Sequence, residues 1–195
     1  MKAIIIAGLV LLALPIAGRA YAAGASEFDL LGKDPGKDAA YSCFSRHYDV
    51  AHLSSHPRQN VTNMSVFVES TYDAESDSHR DDYLKIGINF RHLDKPFVVD
   101  GGCEMVNGKL SCGGDCGGGG TFEVTTKGKT SIYVSIPDGA PVYDPTDEDA
   151  DTPKGAAFGS DDKLFRLGRV DVNQCQSIMS DDARKALLGT AETTK

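Results

Sequence analysis

The chain lacks a second long apolar run. After Ala3–Ala17 nothing approaches the ~20 apolar residues a membrane-spanning helix needs, so no transmembrane segment is expected in the mature chain. It also lacks the signatures of common hydrolytic chemistry. There is no Gly-x-Ser-x-Gly elbow and no His-Glu-x-x-His pair, which argues against an enzyme of familiar type. Positive charge is scarce: 20 Lys and Arg face 28 Asp and Glu, for a net charge of −8. An acidic surface repels phosphate, so nucleic acid is not an expected partner. A cationic protein or a cell-envelope component suits that charge better. No internal repeat is present, and no cofactor is implied.

What is present begins at the N-terminus. Lys2 precedes the apolar run, and the small-residue patch Ala20-Tyr21-Ala22 follows it. That order reads as a signal peptide over residues 1–22, with cleavage after Ala22 or as late as Ala25. No cysteine follows the patch, which argues against a lipid anchor. Without Lys2 and Arg19, 18 basic residues remain against 28 acidic ones, a net of −10. The expected protein is therefore exported, periplasmic or secreted. About 170 residues remain, enough for one domain with a substantial core.

Export gives the five cysteines their meaning, because an oxidising compartment favours disulfides over free thiols. Five is odd, so one thiol is left over, and the protein is a monomer or a disulfide-linked dimer. Asn107-Gly108 is a strong two-residue hairpin signal. A turn there pairs Val106 with Lys109, Met105 with Leu110, Glu104 with Ser111 and Cys103 with Cys112. The last pair falls on a non-hydrogen-bonded site, where Cα atoms approach to about 4.5 Å, within disulfide range. Cys103–Cys112 is the favoured bridge. Among Cys43, Cys116 and Cys175 the sequence does not choose, and pairings of Cys116 with Cys103 or Cys112 also stay open.

Residues 23–40, rich in Gly, Asp and Lys, read as a flexible arm, and 190–195 as a disordered tail. Between them, 41–189 reads as one β domain. Tyr41–Tyr48, Val61–Val68, Tyr83–Arg91, a run starting at Phe97, the two arms of the Asn107-Gly108 hairpin, Thr121–Ile136 and Lys163–Val172 carry period-2 or turn-bounded patterns. Within Thr121–Ile136, a three-residue loop at Thr126-Lys127-Gly128 puts Phe122 opposite Ile132 and Gly128 in a left-handed conformation. Asp49 caps a short turn over Val50–Ser55, and Ser180 caps a helix over Asp181–Leu188 closed by Gly189. The fold class is all-β: one antiparallel domain of seven or eight short strands, a small barrel or a two-sheet sandwich, with a short C-terminal helix.

Three groups of residues are candidates for chemistry. His47, His52 and His56 lie close in sequence, and neutral imidazoles four apart on a helix can share a Zn or Cu ion. Pro57, however, ends any helix carrying both His52 and His56. Asp147, Asp149 and Asp151 begin like a calcium loop, but Thr152 replaces the required glycine and Phe158 the bidentate glutamate. The glycines of 101–120 precede a β pattern, not a helix, so they lack the helix N-terminus of a phosphate loop. The leading expectation is a non-catalytic exported protein that binds a partner or ligand, the latter including an apolar molecule inside a barrel. Metal binding through the histidines is the first alternative. An enzyme of unfamiliar type, built around Asp49, Arg91 or His92, is the second.

Overall fold

A computed structural model describes residues 27–75, 77–79, 83–106, 109–113, 121–147 and 152–189. The leader with its cleavage sites, the Asn107-Gly108 turn, Cys116, Asp149, Asp151 and the 190–195 tail lie outside the described residues.

The architecture is an eight-stranded, closed, antiparallel barrel. In chain order the elements are α1 (Glu27–Leu31), β1 (Ala40–His47), α2 (Val50–Ser55), β2 (Val61–Ser70), the small hairpin β3 (Tyr72–Asp73) and β4 (Ser78–His79), β5 (Tyr83–Phe90), β6 (Phe97–Val106), β7 (Lys109–Gly113), β8 (Thr121–Lys127), β9 (Ser131–Ser135), β10 (Leu164–Val170), a 3₁₀ segment (Val172–Ile178) and α3 (Asp181–Leu188). Setting aside the β3–β4 hairpin, each strand pairs with the next along the chain. β10 then pairs with β1 to close the ring. The barrel resolves the choice against the sandwich, and it leaves only the joint between first and last strand to close a sheet edge.

Period-2 alternation explains the layers. Phe44, Met64, Val66, Val68, Leu84, Ile86, Ile88, Phe97, Phe122, Val124, Ile132, Val134, Phe165 and Leu167 form the inner core, all buried. Their neighbours on the other face are mostly polar, including Ser65, Lys85, Asn89, Glu104, Glu123 and Arg166. This is the reverse of a membrane barrel, whose strands carry apolar residues outward. No helix among the described residues is long and apolar enough to cross a membrane. Eight strands enclose a space that side chains can fill or that one small ligand can occupy. Here side chains take the inward positions, and both ends are covered. Phe158 closes one end, edge-on to Phe90 and Phe165 at 5.7 and 6.4 Å between ring centres. Leu30 and Leu31 of α1 close the other.

Within the stretch read as an arm, α1 places two apolar residues against the barrel. Leu30 and Leu31, the apolar pair in an otherwise polar stretch, are 3% and 7% exposed. The Arg169 guanidinium fixes them by donating to the carbonyls of Asp29 and Leu30 at 3.0 and 2.8 Å, while it sits 4.5 Å over the Phe44 ring. Ser42 adds a 2.7 Å hydrogen bond to the Leu30 carbonyl.

The β6–β7 register is the one the Asn107-Gly108 turn predicts, with Cys103 opposite Cys112, bonded, and 4.1 Å apart between Cα atoms. The β8–β9 register differs from expectation. The ladder continues to Lys127–Ser131, so the loop is Gly128–Thr130 and Thr126, not Phe122, faces Ile132. Gly128 does take a left-handed φ of 64°. The slip is even-numbered, so every side chain keeps its face and the core is unaffected. The shifted ladder gains a cross-strand Val124–Val134 pair and lets Lys127 donate to the Tyr133 hydroxyl at 2.9 Å.

The 3₁₀ segment and α3 cover the outer face of β1, β2, β5 and β6. Cys175, Ile178, Met179 and Ala183 pack there on Cys43, Phe67 and Val98. The Cys43–Cys175 disulfide staples this cover across 132 residues of chain. Gly87 makes room for it, because a Cβ at that position would lie 2.8 Å from Ile178 Cγ2. Asp49 and Ser180 cap their helices as expected, accepting from the amides of His52 and Ala183.

Candidate functional site

The eight strand pairings are not equally long. β1 and β10 meet through only three residue pairs, from Cys43–Val170 to Ser45–Gly168. Every other pairing in the barrel has at least four. Past Ser45, β1 continues beside β2 and β10 continues beside β9, and the two strands separate. The separation opens a 620 Å³ cleft along β10.

One wall is a stack of flat side chains. The Arg46 guanidinium lies 5.5 Å over the Tyr48 ring, Tyr48 lies 4.7 Å from His52, and His52 stacks on His56 at 4.2 Å. α2 sets the last step, since residues four apart on a helix lie one above the other. Gln59 locks the stack by a 2.9 Å hydrogen bond to His52 Nε2, and its amide nitrogen donates to the Val61 carbonyl. Burial raises the Tyr48 hydroxyl above its ordinary pKa, and the nearby Arg46 charge works the other way. The opposite wall is β10: Leu164, Phe165, Arg166 and Gly168, with Thr130 and Ser131 beside them. Leu164 is 62% exposed. A Cβ at Gly168 would meet nothing within 4 Å, so this glycine keeps the cleft floor low.

The charge is one-sided. Arg46 and Arg166 approach from opposite walls, and neither has a carboxylate partner among the described residues. The single carboxylate of the lining, Asp161, is held by Arg58 at 3.1 Å. The net acidity of the chain led to an expectation of a cationic partner. This cleft presents the opposite sign.

The structure does not gather His47, His52 and His56 as three ligands around one point. Among the described residues no group of three His, Cys, Asp or Glu has metal-holding geometry. His52 Nε2 is engaged by Gln59, and His56 Nδ1 is 2.9 Å from the His52 carbonyl oxygen. His47 is not part of the cleft lining, and Cys43 is in a disulfide. Of the acidic candidates only Asp147 is described. Its amide bonds to the Asp144 carbonyl, as in a tight turn. Asp144 itself is salt-bridged to Lys95, which with the Thr146 amide and hydroxyl lowers its carboxyl pKa to about 2.

The residues considered for an unfamiliar enzyme carry structural duties. Arg91 donates to the carbonyls of Gln59 and Leu53 at 2.7 Å, Asp49 caps α2, and His92 occupies a turn at φ 64°. The buried Asp162 accepts the amides of Asn60, Val61 and Gly159 at 2.7, 3.1 and 2.8 Å, pinning the last long loop to the start of β2.

Sequence reasoning singled out His52 and His56 but missed Arg46, Tyr48, Gln59, Arg166 and Gly168. Nothing local marks them. They meet only because the last strand returns to the first. Fold and site together define an up-and-down β-barrel with inward side chains buried and a basic cleft at its closing seam. Comparison with protein families, curated proteins and solved structures finds no match for the chain.

Proposed function

We propose that this chain is an exported, non-catalytic β-barrel protein that binds a partner or ligand in the periplasm or outside the cell through the seam cleft. The observation that carries the reading is the contrast between a barrel interior filled with side chains and a 620 Å³ cleft lined by polar and aromatic groups. Specific sites have this make-up: a concave surface, an aromatic wall and a few converging polar groups. The leader-like N-terminus and the two disulfides support export, because such bonds persist in oxidising compartments.

Native intact-mass analysis of protein purified from the exported fraction tests this. The expected species begins at Ala23 or Ser26, carries two disulfides, and retains added organic mass or a bound protein. Gly168→Val, which fills the cleft floor, should release whatever is held. An uncleaved chain confined to the cytoplasm would overturn the export claim. A bound species equally retained by Gly168→Val would overturn the cleft as its site.

A further inference from the structure

The seam joins two features that are independent of each other. The first is a strand edge. β10 pairs with β9 along Leu164–Gly168, but on its other side only Gly168–Val170 are paired with β1. The edge at Leu164–Leu167 therefore has no strand partner among the described residues. An unpaired edge of this kind is a template for an added strand, and side-chain pockets alongside it then supply selectivity. The cleft runs the length of that edge, from Thr130 and Gly168 at one end to Leu164 and Asp161 at the other. An elongated occupant fits it better than a compact one.

The second feature is the charge. Arg46 and Arg166 flank the edge from opposite walls without carboxylate partners among the described residues, and Asp161 is neutralised by Arg58. Planar guanidinium groups favour carboxylates, which they hold through two parallel hydrogen bonds. The exposed Leu164 side chain offers an apolar contact at one end. In a chain of net charge −8, two guanidinium groups without carboxylate partners among the described residues mark this groove for an acidic molecule.

Resting on the reading of the cleft as the binding site, we propose that its ligand is an extended acidic peptide segment of a partner protein, added as a strand along β10 with its carboxylates on Arg46 and Arg166. The peptide main chain would take up the free edge of Leu164–Leu167, and Gly168 would leave room for its side chains.

The test uses an acetylated, amidated hexapeptide of alternating Glu and Val, titrated into the full disulfide-bonded protein and followed by backbone amide shifts. Two further peptides accompany it: one with Lys in place of Glu, and one methylated at alternate amide nitrogens. The Glu peptide should shift the amides of Leu164–Gly168 and Ser131. The Lys peptide and the methylated peptide should each bind at least tenfold more weakly. Arg46→Gln with Arg166→Gln should weaken the Glu peptide at least tenfold while leaving the rest of the spectrum in place. Gly168→Val, whose side chain enters open space, should do the same by occlusion. Equal binding of the methylated peptide, or the same shifts from glutarate alone, would overturn strand addition in favour of a small-anion site. Silence from all three peptides would overturn the proposal itself. Retention of some other ligand in the native mass, lost in Gly168→Val, would leave the broader reading of the cleft standing in that case.

Discussion

At the scale of single residues, two glycines separate a packing requirement from a functional one. A Cβ on Gly159 would sit 1.9 Å from the Arg58 carbonyl oxygen, a contact that backbone must move to relieve. Gly159→Ala is expected to cost about 3 kcal/mol in urea denaturation, at the upper end for overpacking. Gly168→Ala, facing open space, should change stability by no more than about 0.5 kcal/mol. Equal losses at the two sites would contradict this account of the loop and the cleft floor. Asp162 gives a pH dependence with a definite sign. Burial raises its carboxyl pKa above the ordinary 3.8, against the pull of the Gly159, Asn60 and Val61 amides. A raised folded-state value means the stability it contributes is complete below 3.8 and declines as pH rises through the higher value. Asp162→Asn keeps an oxygen for the amides but removes the titration. Relative to that variant, the wild type should lose stability as pH is raised across this range, as read from urea midpoints. A parallel pair of curves would show that the carboxyl titrates normally.

At the scale of elements, the sequence was most readable where local rules suffice. Asn107-Gly108 specified the register that brings Cys103 to Cys112, and Asp49, Ser180 and Gly189 marked helix ends that need no distant partner. It was least readable where a distant surface decides. Leu30 and Leu31 are too few to signal a helix, and they are ordered because a barrel end is there to receive them. The β8–β9 loop was displaced by two positions on each strand because the core constrains the face of each residue and not its partner. The 3₁₀ segment depends on Cys43, far away in the chain. That staple carries a prediction. In the chain-entropy limit a bridge over 132 residues is worth about 5 kcal/mol and one over 9 residues about 3 kcal/mol. Replacing Cys43 and Cys175 together by Ala should therefore lower the urea midpoint more than replacing Cys103 and Cys112. The reverse order would mean that strain or denatured-state structure outweighs loop length.

At the scale of the whole molecule, fold class and site behave differently as objects of sequence reading. Alternation in Tyr83–Phe90 and its counterparts is enough to announce an all-β domain, because a strand advertises its buried face locally. The cleft is a property of closure. Arg46 and Arg166 sit on the first and last strands of the ring, and only the count and connectivity of the intervening strands make them neighbours. The acidic total of the chain hid a basic groove for the same reason: net charge is a sum, and a ligand meets a place. The closing joint has one more consequence, in time. β1 and β10 are the strands farthest apart along the chain and share the fewest backbone pairs of any neighbours in the barrel. Chain closure over such distances is slow, and a short joint offers little reward for each attempt. The seam that leaves the cleft open is therefore also the contact expected to set how quickly the finished ring can form.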